Sequence, residues 1–77
     1  EGLLVAGQLS IRQVAEKLKE EIPDDEYDTI GGFVFGLLGH LPQVNDEVAW
    51  KDYLFRVSAV DGRRISRIVI RQKEEDS

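Results

Sequence analysis

Acidic side chains crowd into one short stretch, where their oxygens could ligate a hard cation. Asp24, Asp25, Glu26 and Asp28 all fall within residues 24–28. Mg²⁺ and Ca²⁺ need several oxygen ligands in a tight shell, and this run has neither the turn glycine nor the distal glutamate of an EF-hand loop. Asp24, Asp25 and Asp28 are the candidate metal ligands, but a solvated acidic connector is the favoured interpretation. We therefore expect no metal site, and a Mg²⁺ affinity of roughly millimolar order or weaker.

A glycine-rich stretch, Gly31-Gly32-Phe33-Val34-Phe35-Gly36, superficially resembles a phosphate-binding loop. It lacks the G-x-G-x-x-G spacing and the following Lys-Ser/Thr pair. Each glycine inside a helix costs about 1 kcal/mol relative to alanine, so their repetition predicts that another backbone approaches the helix closely, on the face of Gly32, Gly36 and Gly39. The alternative hypothesis is a groove beside Gly31, Gly32 and Gly36 that binds a nucleotide or flavin.

Positive side chains concentrate near the end of the chain, where residues 53–73 hold six basic residues and one acidic residue, whereas residues 20–28 hold six acidic residues and no basic one. Such charge separation suits the steering of a partner or the pairing of two copies. The candidate interaction residues are Arg56, Arg64, Arg67 and Arg71. The competing interpretation is that these arginines pair with acids of the same chain or keep an edge strand soluble.

Composition excludes several kinds of chemistry. The 77 residues include no Cys, so disulfides, Cys-ligated zinc and thiol catalysis are excluded, and the single histidine, His40, has no nucleophile spaced to form a catalytic triad. A net charge of −5, with no aromatics among the return-strand arginines, argues against nucleic-acid binding. No apolar run reaches the ~18–20 residues of a membrane span, so direct membrane insertion of this chain is not expected. The absence of Met suggests a piece of a longer protein.

Two helices are predicted in the first half of the chain, after a short strand at residues 3–6. Ser10 and Gln13 form a capping box, and the apolar stripe that follows runs to Ile22, where Pro23 stops the helix. Thr29 offers a second N-cap. The second stripe comprises Ile30, Phe33, Val34, Leu37, Leu38 and Leu41, and Gly39 is a candidate helix end.

The second half of the chain alternates with the period of strands. We predict strands at residues 47–50, 53–60 and 64–72, with Asp61-Gly62 as a hairpin turn. The apolar phase shifts in the last strand, which predicts a bulge near Ser66-Arg67 unless both faces of the sheet are partly covered. The fold class is therefore α+β: two helices packed on a small, mainly antiparallel sheet in the order β-α-α-β-β-β. Residues 1–72 form one domain, and residues 73–77 are expected to be a frayed charged tail.

Several segments together resemble a known family. They are Tyr27-Asp28-Thr29-Ile30-Gly31-Gly32-Phe33-Val34, Leu38-Gly39-His40-Leu41-Pro42, Asp46-Glu47-Val48, Phe55-Arg56-Val57 and Asp61-Gly62-Arg63-Arg64-Ile65. In this order they resemble the CorC/HlyC transporter-associated domain over nearly the whole chain. Asn45 departs from the pattern, because such domains usually have Gly there. Asn tolerates a positive φ better than most residues, so we expect the turn to be kept.

The resemblance implies a carboxyl-terminal module of larger proteins, following a pair of CBS domains and often a membrane domain. Such proteins are linked to magnesium and cobalt efflux or are called hemolysin-like. The implied role is a non-catalytic regulatory module on the cytoplasmic side of the membrane, thought to modulate ion transport, with the CBS and membrane domains or a second copy as partners. The implied fold resembles the FAD-binding/transporter-associated domain-like fold. No cofactor is expected, although flavin or an adenine nucleotide is possible by fold resemblance alone.

Overall fold

The predicted element order, β-α-α-β-β-β, is the order in the computed structural model, which describes residues 2–73. The elements are β1 (Leu3–Ala6), α1 (Ile11–Leu18), α2 (Ile30–Leu38), β2 (Glu47–Trp50), β3 (Tyr53–Asp61) and β4 (Arg64–Gln72). The strands form one antiparallel sheet in the order β1-β4-β3-β2. The predicted tail at residues 73–77 falls, beyond Lys73, outside the described residues.

Both helices pack on one face of the sheet and enclose an apolar core. Its buried members are Val5, Ile11, Val14, Ile22, Ile30, Phe33, Val34, Phe55, Val57, Ile65, Ile68 and Ile70. Within residues 2–73 no polar or charged side chain is buried. Side chains alternate between the two faces along a strand, so the opposite face of the sheet carries the outward residues of every strand.

Helix α1 begins as predicted but ends earlier. The Ser10 hydroxyl accepts a hydrogen bond from the Gln13 N–H, and the capping box is complete. The helix stops at Leu18, because Lys19 takes a left-handed conformation with φ of 56° and donates its N–H to the carbonyls of Ala15 and Glu16. The prediction of a helix as far as Pro23 was wrong. Two glutamates follow Lys19, and acids at a helix C-terminus oppose its dipole.

Helix α2 is capped as predicted by Thr29 and ends before Gly39, whose φ is 74°. Leu41, which was predicted to continue the apolar stripe, lies beyond the helix and is 56% exposed, so that part of the prediction was wrong. The two helix starts are also tied to each other. The N–H of Ile11 donates to the Asp28 carbonyl at 3.1 Å, and the N–H of Ile30 donates to the Leu9 carbonyl at 2.9 Å.

The predicted bulge is present and has a counterpart on the neighbouring strand. The pairs Val57↔Ile68, Ala59↔Arg67 and Val60↔Ile65 leave one extra residue on each strand, Ser58 on β3 and Ser66 on β4. An extra residue reverses which face the following side chains point to. Because both strands shift, the residues beyond the bulges again face the core. Asn45 has a φ of 80°, as expected for the turn that it occupies.

The close backbone approach predicted for the glycine face lies one residue earlier, at Gly31. The Gly31 N–H donates to the Gly7 carbonyl at 2.9 Å, and the Gly7 N–H donates to the Ser66 carbonyl at 2.9 Å. A Cβ on Gly31 would lie 2.9 Å from the Gly7 oxygen and 3.1 Å from the Ile65 oxygen, and a Cβ on Gly7 would overlap the Ile65 carbonyl. We call this meeting of Gly7, Gly31 and residues 65–66 the glycine junction.

Gly32 and Gly36 were predicted to face another backbone, and this was wrong. The atoms nearest to a Cβ on Gly32 are side-chain atoms of Thr29 and Tyr27, and a Cβ on Gly36 would meet the phenol group of Tyr27. Tyr27 therefore fills the space that these two glycines leave. Gly39 has open space around it, and its positive φ provides the left-handed residue that ends α2.

Replacing Gly31 with Ala should destabilise the domain, whereas the same change at Gly32 should not. At Gly31 the new methyl would press on two backbone carbonyls that cannot rotate away, so we expect a loss of about 1–3 kcal/mol in the free energy of unfolding. At Gly32 the nearest atoms, at 3.3 and 3.4 Å, belong to side chains. There we expect a change within about 1 kcal/mol, helped by the better helix propensity of alanine. Urea unfolding of the two variants measures the difference, and equal losses would contradict the close approach at Gly31.

Candidate functional site

The sheet has one face without helices, which we call the open face. Its outward side chains are Leu4, Ala6, Glu47, Ala49, Leu54, Arg56, Ala59, Arg67, Val69 and Arg71. The strand register arranges them in rows, one of which runs Leu4, Val69, Arg56, Glu47 across all four strands. Leu4 is 57% exposed, and Arg56, Arg67 and Arg71 are exposed. Aliphatic side chains and arginines thus lie side by side on this face of the sheet.

Three of the four predicted interaction residues meet on the open face. Arg56 lies diagonally from both Arg67 and Arg71 on the neighbouring strand. Arg71 donates to the Glu47 carboxylate at 3.0 Å. Within residues 2–73, no carboxylate lies within salt-bridge distance of Arg56, Arg64 or Arg67. Among the described residues, the alternative that these arginines pair with acids of the same chain is therefore met by Arg71.

Arg64 lies apart from the other three, beside a groove at the hairpin end of the sheet. The groove has a volume of 550 Å³. Its lining includes Gly7, Gln8, Tyr27, Thr29, Gly31, Gly32, Phe35, Arg63, Arg64 and Ile65. Two of the three glycines proposed to edge a ligand groove, Gly31 and Gly32, are thus found in one, while Gly36 lies elsewhere, under Tyr27.

The start of α2 borders this groove, but its backbone donors are already engaged. The N–H groups of Ile30, Gly31 and Gly32 donate to the Leu9 carbonyl, the Gly7 carbonyl and the Thr29 hydroxyl, at 2.9, 2.9 and 3.1 Å. Helix N-termini bind phosphate through free N–H groups. In this groove the positive groups that could meet an anion are therefore the guanidinium groups of Arg63 and Arg64.

The acidic connector is not folded into a ligand shell. Asp24 accepts a hydrogen bond from the Arg12 guanidinium at 3.2 Å, and Asp25 and Asp28 are exposed. Across residues 2–73 no three His, Cys, Asp or Glu side chains converge as a metal site would require. Asp24, Asp25 and Asp28 are thus not brought together. His40 lies in the turn after α2, with Nδ1 at 3.0 Å from the Leu41 carbonyl oxygen and 3.8 Å from an Asp46 oxygen.

Sequence reasoning left the face of Trp50 open and missed the aliphatic part of the open face. Trp50 points to the helix side, where its ring lies edge-on to Phe33 at a centroid distance of 5.4 Å. Leu4 and Val69 were noted only as members of strands. Once the bulge is placed, the strict alternation in β4 assigns Val69 to the same face as Arg67 and Arg71.

These features define a small two-layer α+β module with an apolar core, in which the charged side chains of residues 2–73 lie outside that core. A family model for the transporter associated domain, CorC_HlyC, matches residues 1–74, and the chain belongs to this family. The family is a transporter-associated domain rather than a known class of enzyme. The resemblance seen in the sequence motifs is thereby confirmed.

Relatives and solved structures agree with this assignment. The chain is 41% identical over 56 residues to hemolysin C of Brachyspira hyodysenteriae and 36% identical over 62 residues to the magnesium and cobalt efflux protein CorC of Escherichia coli K12. These matches cover 73% and 80% of this chain but only 21% of each relative. A CorC_HlyC domain from Haemophilus ducreyi superimposes with a TM-score of 0.89 at 26% identity, covering 97% of this chain and 92% of that one.

Among the described residues, no helix has the length and apolarity needed to cross a membrane. The longer of the two helices, α2, has nine residues. A membrane-spanning helix needs about 20 residues.

Titration of the chain with Mg²⁺ in a calorimeter should give a dissociation constant of roughly millimolar order or weaker. The physical reason is that Asp24 is engaged by Arg12 and its acidic neighbours do not share a coordination sphere. The double variant Asp24→Asn/Asp25→Asn should therefore bind as weakly as the unaltered chain. A micromolar constant that disappears in this variant would contradict the prediction.

Proposed function

We propose that this domain is a non-catalytic regulatory module of a larger ion-transport protein, and that it modulates transport by contacting other domains of that protein. The observation that carries the proposal is the separation of apolar interior from charged surface: in residues 2–73 every buried side chain is apolar. Nucleophilic acyl transfer, for example, needs a nucleophile, a base and oxyanion donors held together. The described residues do not bring such a set together, which supports a role in surface recognition.

The similarity to longer proteins supports a role within a larger chain. The module corresponds to 21% of hemolysin C and 21% of the magnesium and cobalt efflux protein CorC. A domain that corresponds to a fifth of such a protein, and whose described residues include no helix long and apolar enough to cross a membrane, is suited to act on the rest of the molecule by contact. In this proposal the module lies on the cytoplasmic side of the membrane, and magnesium and cobalt are the candidate ions.

Deleting residues 2–73 from the protein that carries them should change ion efflux without removing the protein from the membrane. We expect the efflux rate or its dependence on ion concentration to shift by about 5-fold or more, the lower end of ordinary allosteric coupling. Efflux of Mg²⁺ and Co²⁺ from cells or vesicles measures the effect, with membrane abundance determined by immunoblotting as the control. Unchanged efflux at equal abundance would reject the proposal.

A nucleotide or flavin sensor is the second candidate function, favoured by the groove that Gly31 and Gly32 share with Arg63 and Arg64. Its phosphate would have to be held by the two arginines, because the first N–H groups of α2 are engaged within the protein. The 550 Å³ groove is of a size ordinary for small-ligand sites.

Thermal melting with ADP or FMN separates the two candidates. Ligand at about 100 times its dissociation constant adds ~2.7 kcal/mol of stability, which raises the melting temperature by several degrees. If the domain is a sensor, the melting temperature should rise in this way, and the rise should be lost in Arg63→Ala/Arg64→Ala but kept in Arg56→Ala/Arg67→Ala. If the domain is the proposed regulatory module, neither compound should raise the melting temperature. A yellow purified protein would also favour the sensor.

A further inference from the structure

We propose that the open face of the sheet is a docking surface for an acidic polypeptide segment that also carries aliphatic side chains. This proposal depends on the proposed function in one respect only, namely the identity of the protein that carries the segment. The surface and the chemistry of its partner follow from the arrangement of charges and aliphatic groups on the face itself.

The three arginines at the centre of the open face lie close together although their like charges repel one another. Diagonal neighbours on adjacent strands lie about 7–8 Å apart, so Arg56 has a like charge on either side, at Arg67 and Arg71. The chain has 15 acidic residues against 10 basic ones. Among the described residues of this face Glu47 is the acidic member. It lies directly opposite Arg56 in the strand register, but its carboxylate is bonded to Arg71. No carboxylate of residues 2–73 is within salt-bridge distance of Arg56 or Arg67, so both guanidinium groups can meet the carboxylates of a partner.

Protection of sheet edges does not account for these arginines. Charged residues that prevent strand addition belong on the outer strands. The outer strands here are β1 and β2, and on the open face they present Leu4 and Ala6, and Glu47 and Ala49. The three arginines instead lie on the two central strands, β3 and β4, where no edge needs protection.

Aliphatic groups beside the arginines give the face a contact that does not depend on charge. Leu4 is opposite Val69, which in turn is opposite Arg56 in the same row. Leu54 lies in the next row between Ala49 and Arg71. Arginine and apolar groups together are typical of the centres of protein interfaces, where arginine is enriched and lysine is depleted. None of the ten outward residues that define the open face is a lysine.

The charges also argue against a second copy of the chain as the occupant. Two open faces packed about a two-fold axis would bring two sets of three arginines together. The acidic connector is on the helix side, where Ile22 enters the core and Asp24 contacts α1. A connector docked on the open face of another copy would join the copies head to tail, which gives rings or open filaments rather than a two-fold dimer. An anionic membrane is less suited as well, since lipid-binding sites in proteins use clusters of about 4–8 basic residues.

The test is an NMR titration of the isotope-labelled chain with the synthetic peptide acetyl-Glu-Leu-Glu-Glu-Leu-Glu-amide. We expect saturable shifts of amide signals at Leu4, Arg56, Arg67 and Val69. Arg56→Glu/Arg67→Glu should weaken binding by about tenfold or more, as loss of hot-spot residues does. The matched control, Arg63→Glu/Arg64→Glu, makes the same charge change at the hairpin turn and should bind like the unaltered chain. Thermal melting checks that both variants, altered at exposed positions, remain folded.

Several results would overturn the proposal. These are the absence of saturable shifts on the open face, equal weakening by both double variants, or equal binding of a peptide with lysine in place of each glutamate. A concentration-dependent dimer in sedimentation that Arg56→Glu/Arg67→Glu abolishes would make a second copy the occupant. Binding to phosphatidylglycerol vesicles but not to the peptide would make it a membrane. None of these results depends on ion efflux, so the docking face can fail while the deletion experiment still supports the proposed function.

Discussion

The glycine junction is the contact on which the arrangement of the two layers depends. The end of β1, the first turn of α2 and the bulge of β4 meet there with no side chain between them, at N–H to carbonyl distances of 2.9 Å. Because these bonds join backbone atoms, the helix start is held at a fixed height above the sheet, and a methyl group on either glycine would push the layers apart. The bulge matters for the same reason, since the Ser66 carbonyl that it exposes is the acceptor for Gly7.

Anchoring α2 in this way also uses up the donors that a helix start would otherwise offer to an anion. The stretch that most resembles a phosphate loop is therefore committed to joining the layers, and the groove beside it depends on two exposed arginines for any positive charge. Helices on only one side leave the other face of the sheet accessible. The same constraint that builds the core thus determines which surface is free to meet another polypeptide.

The helix side and the open face of the domain carry charges of opposite sign. The acidic connector runs along the helix side, while the open face carries three arginines and one glutamate. In a protein with a net charge of −5, this separation creates a local field opposite to that of the whole molecule. The net negative charge repels a partner that carries carboxylates, whereas the arginines of the open face attract it, which favours orientation as well as affinity.

Element order, both N-caps, a hairpin between the last two strands and the family were evident from the sequence alone, because each depends on residues close together in the chain. The hairpin turn lies at Gly62-Arg63, one residue beyond the predicted Asp61-Gly62, because Asp61 still pairs with Arg64. The bulge was one of two interpretations of the last strand, and the strand register decides for it. The length of α1 was not, since a left-handed Lys19 is an option that helical spacing does not reveal. Nor were Gly31 as the point of close approach, Tyr27 as the filler of Gly36, or the union of Arg56, Arg67 and Arg71 with Leu4. The union of the arginines with Leu4 depends on strand order and register, and the two glycine contacts depend on how α2 and the connector before it pack on the rest of the chain, so only the tertiary structure decides them.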